Sequence, residues 1–355
     1  MPSSQSPQQS EPVLVVNADR LRDFAAEVFL RAGVPHDIGL IVAQSLVEAD
    51  LRGHPSHGIG RLPVFVQRVR SRAHDPLARP RIESASKNTA VIDGGNGFGQ
   101  LAAKCAAEVA VEKAADSDIA VVVVRRTQNC GILAPYVEHI AMQSMIGAMC
   151  ANGAPAIAPA PGSKPILGTN PLAVSFPHVE PITLDMSTAV VARDKIMVAH
   201  REGRQIPQTW ALDSDGQPTT DPARALKGSL LPLGGHKGFG LALSVELLAG
   251  VLAGAGMATE VGWLYSTDRP QDSGCCIAAI RVGAFMLREE YDERVSRLVA
   301  EIRGAGIGGA SSGCLPGEIE HRTRQERLRA GIPLHQTTAE ALQRLGEEVG
   351  VATIH

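Results

Sequence analysis

TAVIDGGNGFGQLAAKCAAEVAVEKAADSDIAVVVV, residues Thr89–Val124, decides the fold class. Thr89–Ile92 is short and apolar and predicts a strand. Gly94–Gln100 is a glycine-rich turn. Leu101–Ala115, alanine-rich with charges spaced along it, predicts a helix. Ile119–Val124 is an unbroken apolar run, the pattern of a strand buried on both faces. Strand, helix and strand in one stretch make this a mixed α/β chain. The glycine turn lacks the spacing of a dinucleotide fingerprint.

Working outward, the same reading predicts a helix near Ile132–Gln143 and strands at Ile146–Ala151, Leu172–Phe176 and Ile182–Asp185. Asn152–Pro165 is an Ala/Pro/Gly loop and Arg201–Lys227 a polar span. Gly238–Gly254 follows as an apolar helix, Cys275–Val282 as a strand and Glu289–Arg303 as a helix. Toward the N-terminus, Leu21, Phe24, Ala25, Val28, Phe29 and Ala32 recur at helical spacing. Asn17 suits the N-cap of that helix and Gly33 its end. A second helix is predicted over His36–Leu51, then an amphipathic stretch at Val64–Arg72 and a Pro-rich linker near Pro76–Pro80. A last helix is predicted near Ala339–Glu348.

Composition removes several classes of function. The chain has 355 residues, 44% hydrophobic and 20% charged, which excludes wholesale disorder. A formal net charge of −3 gives no basic footprint for nucleic acid. Aromatics at 3% weaken base or glycan stacking, and 36 Gly suit an Ala/Gly-rich enzyme. No apolar run reaches the ~18 residues of a membrane span. Residues 1–12, MPSSQSPQQSEP, carry neither basic nor apolar signal-peptide regions and read as a disordered tail. The six cysteines show no C-x-x-C spacing and read as reduced thiols of a cytoplasmic protein, with Cys275 and Cys276 on opposite faces of their strand. Gly304, Gly306 and Gly309 match G-x-G-x-x-G, but they follow a helical pattern, the wrong context for a Rossmann site. No P-loop, HExxH or EF-hand pattern is present, so no metal site is expected.

Two stretches concentrate chemistry. Arg52–Arg61, RGHPSHGIGR, sets two imidazoles, a hydroxyl and two guanidiniums within ten residues. Imidazole suits proton transfer near neutrality, and arginine offers a fork for a carboxylate. If a helix begins near Ser56, then His57 and Arg61 share one face as i and i+4. Pro232–Gly240, PLGGHKGFG, places glycines and Lys237 ahead of an apolar helix, where unsatisfied N–H groups suit an anion such as a diphosphate. Leu167–Pro171 and Leu184–Thr188 are polar turns beside strand-like runs.

Taken in order, LRGHPSHGIGRLP, GGNGFGQ, PILGTNPLAVSFP, LDMSTAVVARDKI, REGRQIPQTWALDSDGQPTTDP and LPLGGHKGFGLALSVELLAGVLAG resemble the malate/L-lactate dehydrogenase family over about residues 13–350. The resemblance implies a non-Rossmann, largely antiparallel NAD(P)-binding sheet flanked by helices, with a helical domain made from both termini. The implied division is 13–80 with 315–355 for that helical domain, and 81–314 for the NAD(P)-binding and substrate region. It implies an NAD- or NADP-dependent enzyme, usually a homodimer, that interconverts small 2-oxo and 2-hydroxy acids. Cyclic-imine-2-carboxylate reduction is the alternative activity, and a nucleotide-binding member without turnover is the other.

By that resemblance His57 is the proton donor, Ser56 its hydrogen-bond partner, Arg61 the carboxylate clamp and Thr169 a substrate contact. Cofactor contacts fall on Asn129, Cys130, Gly131, Ile132 and Leu133. They continue on Asp185, Met186 and Ser187, then on Gly235, His236 and Lys237, and on the turn Pro316–Arg322 through Pro316, Gly317 and Arg322. Two positions depart from the family. Asn129 stands where many members carry a histidine, and it cannot titrate. At Asp194-Lys195 many oxo-acid members read Gly-Lys, so Lys195 leans toward them, whereas imine reductases place a relay aspartate at the lysine position.

Overall fold

A computed structural model describes residues 14–159, 162–305, 314–352 and 354. The 1–12 tail and the glycines at 306 and 309 lie outside the described residues. In chain order the first half forms β1 (Leu14–Val16), α1 (Ala18–Arg31), α2 (His36–Leu51), two 3₁₀ turns (Pro55–His57 and Ile59–Arg61), α3 (Leu62–Arg70), β2 (Arg81–Ala85), β3 (Thr89–Asp93), α4 (Gly99–Ser117), β4 (Ile119–Thr127), α5 (Ala134–Ala141), β5 (Met145–Ala151), β6 (Leu172–Phe176) and β7 (Ile182–Met186). The second half forms α6 (Arg193–Arg201), β8 (Ala211–Leu212), α7 (Pro222–Ala225), β9 (Ser229–Leu230), α8 (His236–Glu246), a π-helical stretch (Leu247–Leu252), β10 (Ser273–Arg281), α9 (Arg288–Gly304), α10 (Glu318–Ala330), β11 (Ile332–Leu334) and α11 (Gln336–Val349). Two compact units result. One is the chain up to Val66 with the chain from Glu320 onward, and the other is Gln67–Ile319.

In the terminal unit, Asn17 caps α1, its side-chain oxygen accepting from the amides of Asp19 and Arg20. Gly33 ends the helix with φ +89. α1 packs on α2 and buries Leu21, Phe24, Ala25, Val28 and Phe29, and β1 pairs antiparallel with β11, which joins the two ends of the chain.

The larger unit is built on a seven-stranded sheet of order β2-β3-β4-β10-β5-β6-β7. Only β3 and β4, joined by α4, run parallel; every other pair in this sheet is antiparallel. The sheet is therefore the non-Rossmann one expected. One face buries Ala102, Ala106, Val122, Val137, Ile140 and Cys275 beneath α4 and α5. The other buries Val123, Cys150, Cys276, Val245 and Ala249. Cys275 and Cys276 thus point to opposite faces, as strand alternation requires. A separate core around Ile157, Leu167, Ile196, Ala211 and Ala242 lies under α6 and α8.

The glycines between β3 and α4 prove to be packing devices. A Cβ on Gly97 would meet the Ala78 Cβ at 2.9 Å, and one on Gly99 the Gln128 carbonyl at 2.1 Å. Chain, not ligand, fills that space.

Two local expectations are corrected. Pro316–Arg322 is not one turn: the turn ends at Gly317, and Glu318 opens α10, so Arg322 is a helical residue. Residues Pro55–Arg61 do not start an α-helix. Gly58 adopts extended backbone, φ −87 and ψ −160, and splits the segment into two short turns, so His57 and Arg61 do not share a helical face.

Candidate functional site

The expected site residues fall into two groups, each held within its own unit. In the terminal unit the turns after α2 present Ser56, His57 and Arg61. Ser56 Oγ and His57 Nδ1 are 2.9 Å apart, a hydrogen-bonded hydroxyl–imidazole pair. Arg61 folds back so that its Nε donates to the Ser56 carbonyl at 2.6 Å, which fixes the guanidinium plane on the loop that carries His57. His57 is half-buried. Desolvation, and then the positive charges of Arg61 and His54, hold its imidazolium well below the ordinary value of 6.5. At neutral pH the ring is neutral, a base before it is an acid. Arg322 lies in this unit too, exposed on α10.

In the larger unit, backbone and side-chain bonds draw five separate segments into one cluster. The Asp185 carboxylate, at the end of β7, accepts from the amides of Leu133 and Ala134 at 2.8 Å each. It caps α5 from across the sheet and ties Asn129–Leu133 to Asp185–Ser187. Asn129 Oδ1 accepts from the Gly131 amide at 3.1 Å, and the Cys130 carbonyl accepts from Tyr136 Oη at 2.7 Å. Beyond Ser187, Thr188 donates through its amide and its hydroxyl to the Thr169 carbonyl, at 2.9 and 2.8 Å. The Thr188 carbonyl in turn accepts from the Leu233 amide at 2.9 Å, which brings in the start of α8. Thr183 N–H donates to the Pro316 carbonyl at 3.1 Å, and a Cβ on Gly317 would meet the Thr183 carbonyl at 3.0 Å. Gly317, at φ +89, is thus a glycine by necessity.

The start of α8 has the features of an anion cradle. Gly234 and Gly235 have φ +59 and +64, and nothing lies within 4 Å of a Cβ built on Gly235. No side chain caps the helix. His236 and Lys237 are exposed beside it. Unsatisfied N–H groups, the positive end of the helix dipole and a lysine suit a diphosphate, so these residues fit a dinucleotide. Lys195 sits exposed in the first turn of α6.

Sequence reasoning missed the residues that hold this arrangement. Glu246, buried near the end of α8, accepts from Asn152 Nδ2 at 3.1 Å, Asn170 Nδ2 at 2.7 Å and the Ala258 amide at 2.7 Å. It thereby locks the residue after Thr169 to the helix that begins at His236. A lone acid in GLALSVELLAGVLAG was the available signal. Asp50, at the end of α2, was missed in the same way.

The chain is similar to known proteins over nearly its whole length. The sequence pattern of the family described as malate/L-lactate dehydrogenase matches residues 16–343. The L-sulfolactate dehydrogenase of Methanocaldococcus jannaschii is 37% identical over 339 residues, 95% of this chain and 98% of that protein. The solved structure of sulfolactate dehydrogenase from that organism superposes with TM-score 0.89 at 37% identity, covering 96% of this chain and 98% of the other. The delta(1)-pyrroline-2-carboxylate/delta(1)-piperideine-2-carboxylate reductase of Pseudomonas putida is 32% identical, over 95% of this chain and 98% of its own length.

Proposed function

The chain belongs to the malate/L-lactate dehydrogenase family, and on that premise we propose that it interconverts a small 2-oxo acid and its 2-hydroxy acid with a nicotinamide dinucleotide, NAD or NADP. The observation that carries this reading is the Ser56–His57 pair, 2.9 Å apart, on a loop that also pins Arg61. Proton relay and carboxylate anchor are thereby built as one piece.

In this reading Arg61 holds the substrate carboxylate through its planar fork. By the family resemblance Thr169 is a further substrate contact and Lys195 joins Ser56 and His57 among the catalytic residues. His57 moves the proton at the substrate oxygen. In hydroxy-acid oxidation the neutral ring accepts it; in oxo-acid reduction the protonated ring returns it. Base function needs Nδ1–H donating to Ser56 Oγ, which leaves the lone pair on Nε2. Gly235, His236 and Lys237 would hold the cofactor diphosphate. The clustered segments Asn129–Leu133, Asp185–Ser187 and Pro316–Gly317, together with Arg322, would line the rest. The bound cofactor supplies the hydride, and the chain supplies position, charge and the proton.

Cyclic-imine-2-carboxylate reduction is the second reading. The Pseudomonas putida reductase at 32% identity favours it, as does a His57 that is neutral at pH 7, because an imine nitrogen can arrive already protonated. We further place the enzyme in the cytoplasm, where its six cysteine thiols would stay reduced. Among the described residues no helix is long and apolar enough to cross a membrane. A homodimer is supported by the outer side of α8 and the stretch after it, where Leu247, Leu248, Val251 and Leu252 are 51%, 43%, 52% and 61% exposed.

A panel of 2-oxo acids and cyclic imine-2-carboxylates, each assayed with NADH and NADPH, tests the reading. Turnover of a 2-oxo acid is the expected result. Turnover of imines alone selects the second reading, and binding of dinucleotide without turnover of any substrate rejects both.

A further inference from the structure

Asp50 lies eight residues before Gly58, at the end of α2, and is only 3% exposed. Its carboxyl occupies the space a side chain at position 58 would need: a Cβ there would lie 2.0 Å from Oδ1 and 2.4 Å from Oδ2. Asp50 Oδ2 accepts from the Ile59 amide at 2.6 Å, a short, charge-assisted bond. Gly58 and Ile59 are the two residues at which the chain breaks between the turn carrying Ser56–His57 and the turn carrying Arg61.

We propose that Asp50 is the positioning residue of the proton-transfer loop: its carboxylate sets the break at Gly58–Ile59, and so the placement of His57 relative to Arg61, and the loop is competent when Asp50 is ionised. This rests on the reading of His57 and Arg61 as relay and clamp.

The geometry gives the carboxyl few other duties. The Asp50 main-chain carbonyl is separately anchored. It accepts from the Gly53 amide at 3.0 Å and from the Arg327 guanidinium of α10. Of the charges around it, Arg327 acts on the carboxyl directly. On its own helix Glu48 is engaged by Arg52 and by Arg324 of α10, and on the loop His57 and Arg61 flank the two residues that it holds. Desolvation raises Asp50 to about 7, against the smaller opposing effects of the Ile59 bond and Arg327. The bond that sets the loop therefore weakens by protonation in the range where such an enzyme works. A neutral side chain of the same size would cost the fold less, so loss of the charge separates function from stability.

The test uses the full chain with ¹⁵N-labelled isoleucine and histidine. The Ile59 amide should titrate with a midpoint near pH 7 in the wild type and be flat in Asp50→Asn. The ring signals of His57 should move in Asp50→Asn at pH 8. With a 2-hydroxy acid as substrate, wild-type kcat/KM should rise through pH 7. Asp50→Asn should be roughly tenfold lower at pH 8, about the difference between a charge-assisted and a neutral bond, and should lack that rise. It should melt at or above the wild-type temperature at pH 8. An Ile59 amide that does not titrate overturns the proposal. So does a wild-type pH profile in Asp50→Asn with unmoved His57 signals. A variant that melts lower and loses activity equally at every pH also overturns it, since the role is then structural. If the wild type turns over no 2-hydroxy or 2-oxo acid, the functional reading falls, while the Ile59 and His57 spectra still decide whether Asp50 positions the loop.

Discussion

His57→Asn is the substitution on which the mechanism stands. Burial comes first and the charges of Arg61 and His54 second in holding the imidazolium well below 6.5. In free enzyme the ring is therefore neutral at pH 7, and the near-neutral acid limb that the sequence suggests for reduction must lie lower. Substrate changes this balance. A carboxylate on Arg61 offsets the charge that, after burial, acts most strongly on the ring. In surroundings of effective dielectric about 20, a unit charge at close range is worth about 4 kcal/mol at most. The imidazolium should therefore be easier to form in the ternary complex than in the free enzyme. In the reduction direction the limb in kcat should accordingly lie at higher pH than the limb in kcat/KM, and both should fall as pH rises. His57→Asn should lower turnover by roughly 10²–10⁴, the range for general acid–base catalysis, and abolish both limbs. Dinucleotide affinity should be little changed. The assay is initial rate against pH with NAD(P)H and the best 2-oxo acid of the panel. A variant within a few-fold of wild type that keeps the same limbs would refute the assignment of His57 as relay.

Arg61→Ala should cost roughly 2–5 kcal/mol in kcat/KM, and Arg61→Lys should recover little of it because an ammonium cannot form the planar fork; wild-type kinetics in either would move the clamp elsewhere. Lys237→Ala should weaken NAD(P)H binding by about 1 kcal/mol or more, with melting unchanged, as a fluorescence titration would show. The double variant Leu248→Glu, Leu252→Glu should sediment as a monomer if the exposed aliphatic side of α8 and its extension is the dimer surface. His74 accepts from Arg68 Nε at 3.1 Å and stacks on Phe98 at 4.9 Å, and desolvation, then Arg68, lowers it to about 3. A lowered imidazole contributes stability above its unfolded value of 6.5 that is lost on acidification toward 3. Each pH unit in that window removes up to about 1.4 kcal/mol, so the urea midpoint should fall below pH 6.5, and fall less in His74→Gln.

Some elements were legible because their determinants are local. α2 runs over His36–Leu51 and β6 over Leu172–Phe176, the bounds expected from apolar pattern and flanking breakers. α10 was hidden: EIEHRTRQERLRA carries no apolar stripe, and Ile319 and Leu328 are exposed. Arg324 of this helix pairs with Glu48, 276 residues away in the chain, and no window of sequence contains such a pair.

The sequence by itself determined six of the seven strands of the sheet and the two helices that cover one face, missing the edge strand Arg81–Ala85, together with the family and which residue types stand ready for chemistry, Ser56, His57, Arg61, Thr169 and Lys237 among them. These follow from periodicity, glycine placement and motif order, all of which are short-range. Tertiary structure alone decided how those residues are presented. It placed the Asp50 carboxyl against Gly58 and so split an apparent helix into two turns. It brought Asp185 to the amides of Leu133 and Ala134, about fifty residues away in the chain. It also set the half-buried His57 beside Arg61, so that its imidazolium lies well below the ordinary value. Desolvation and charge proximity depend on distances in space, and spacing along the chain does not encode them.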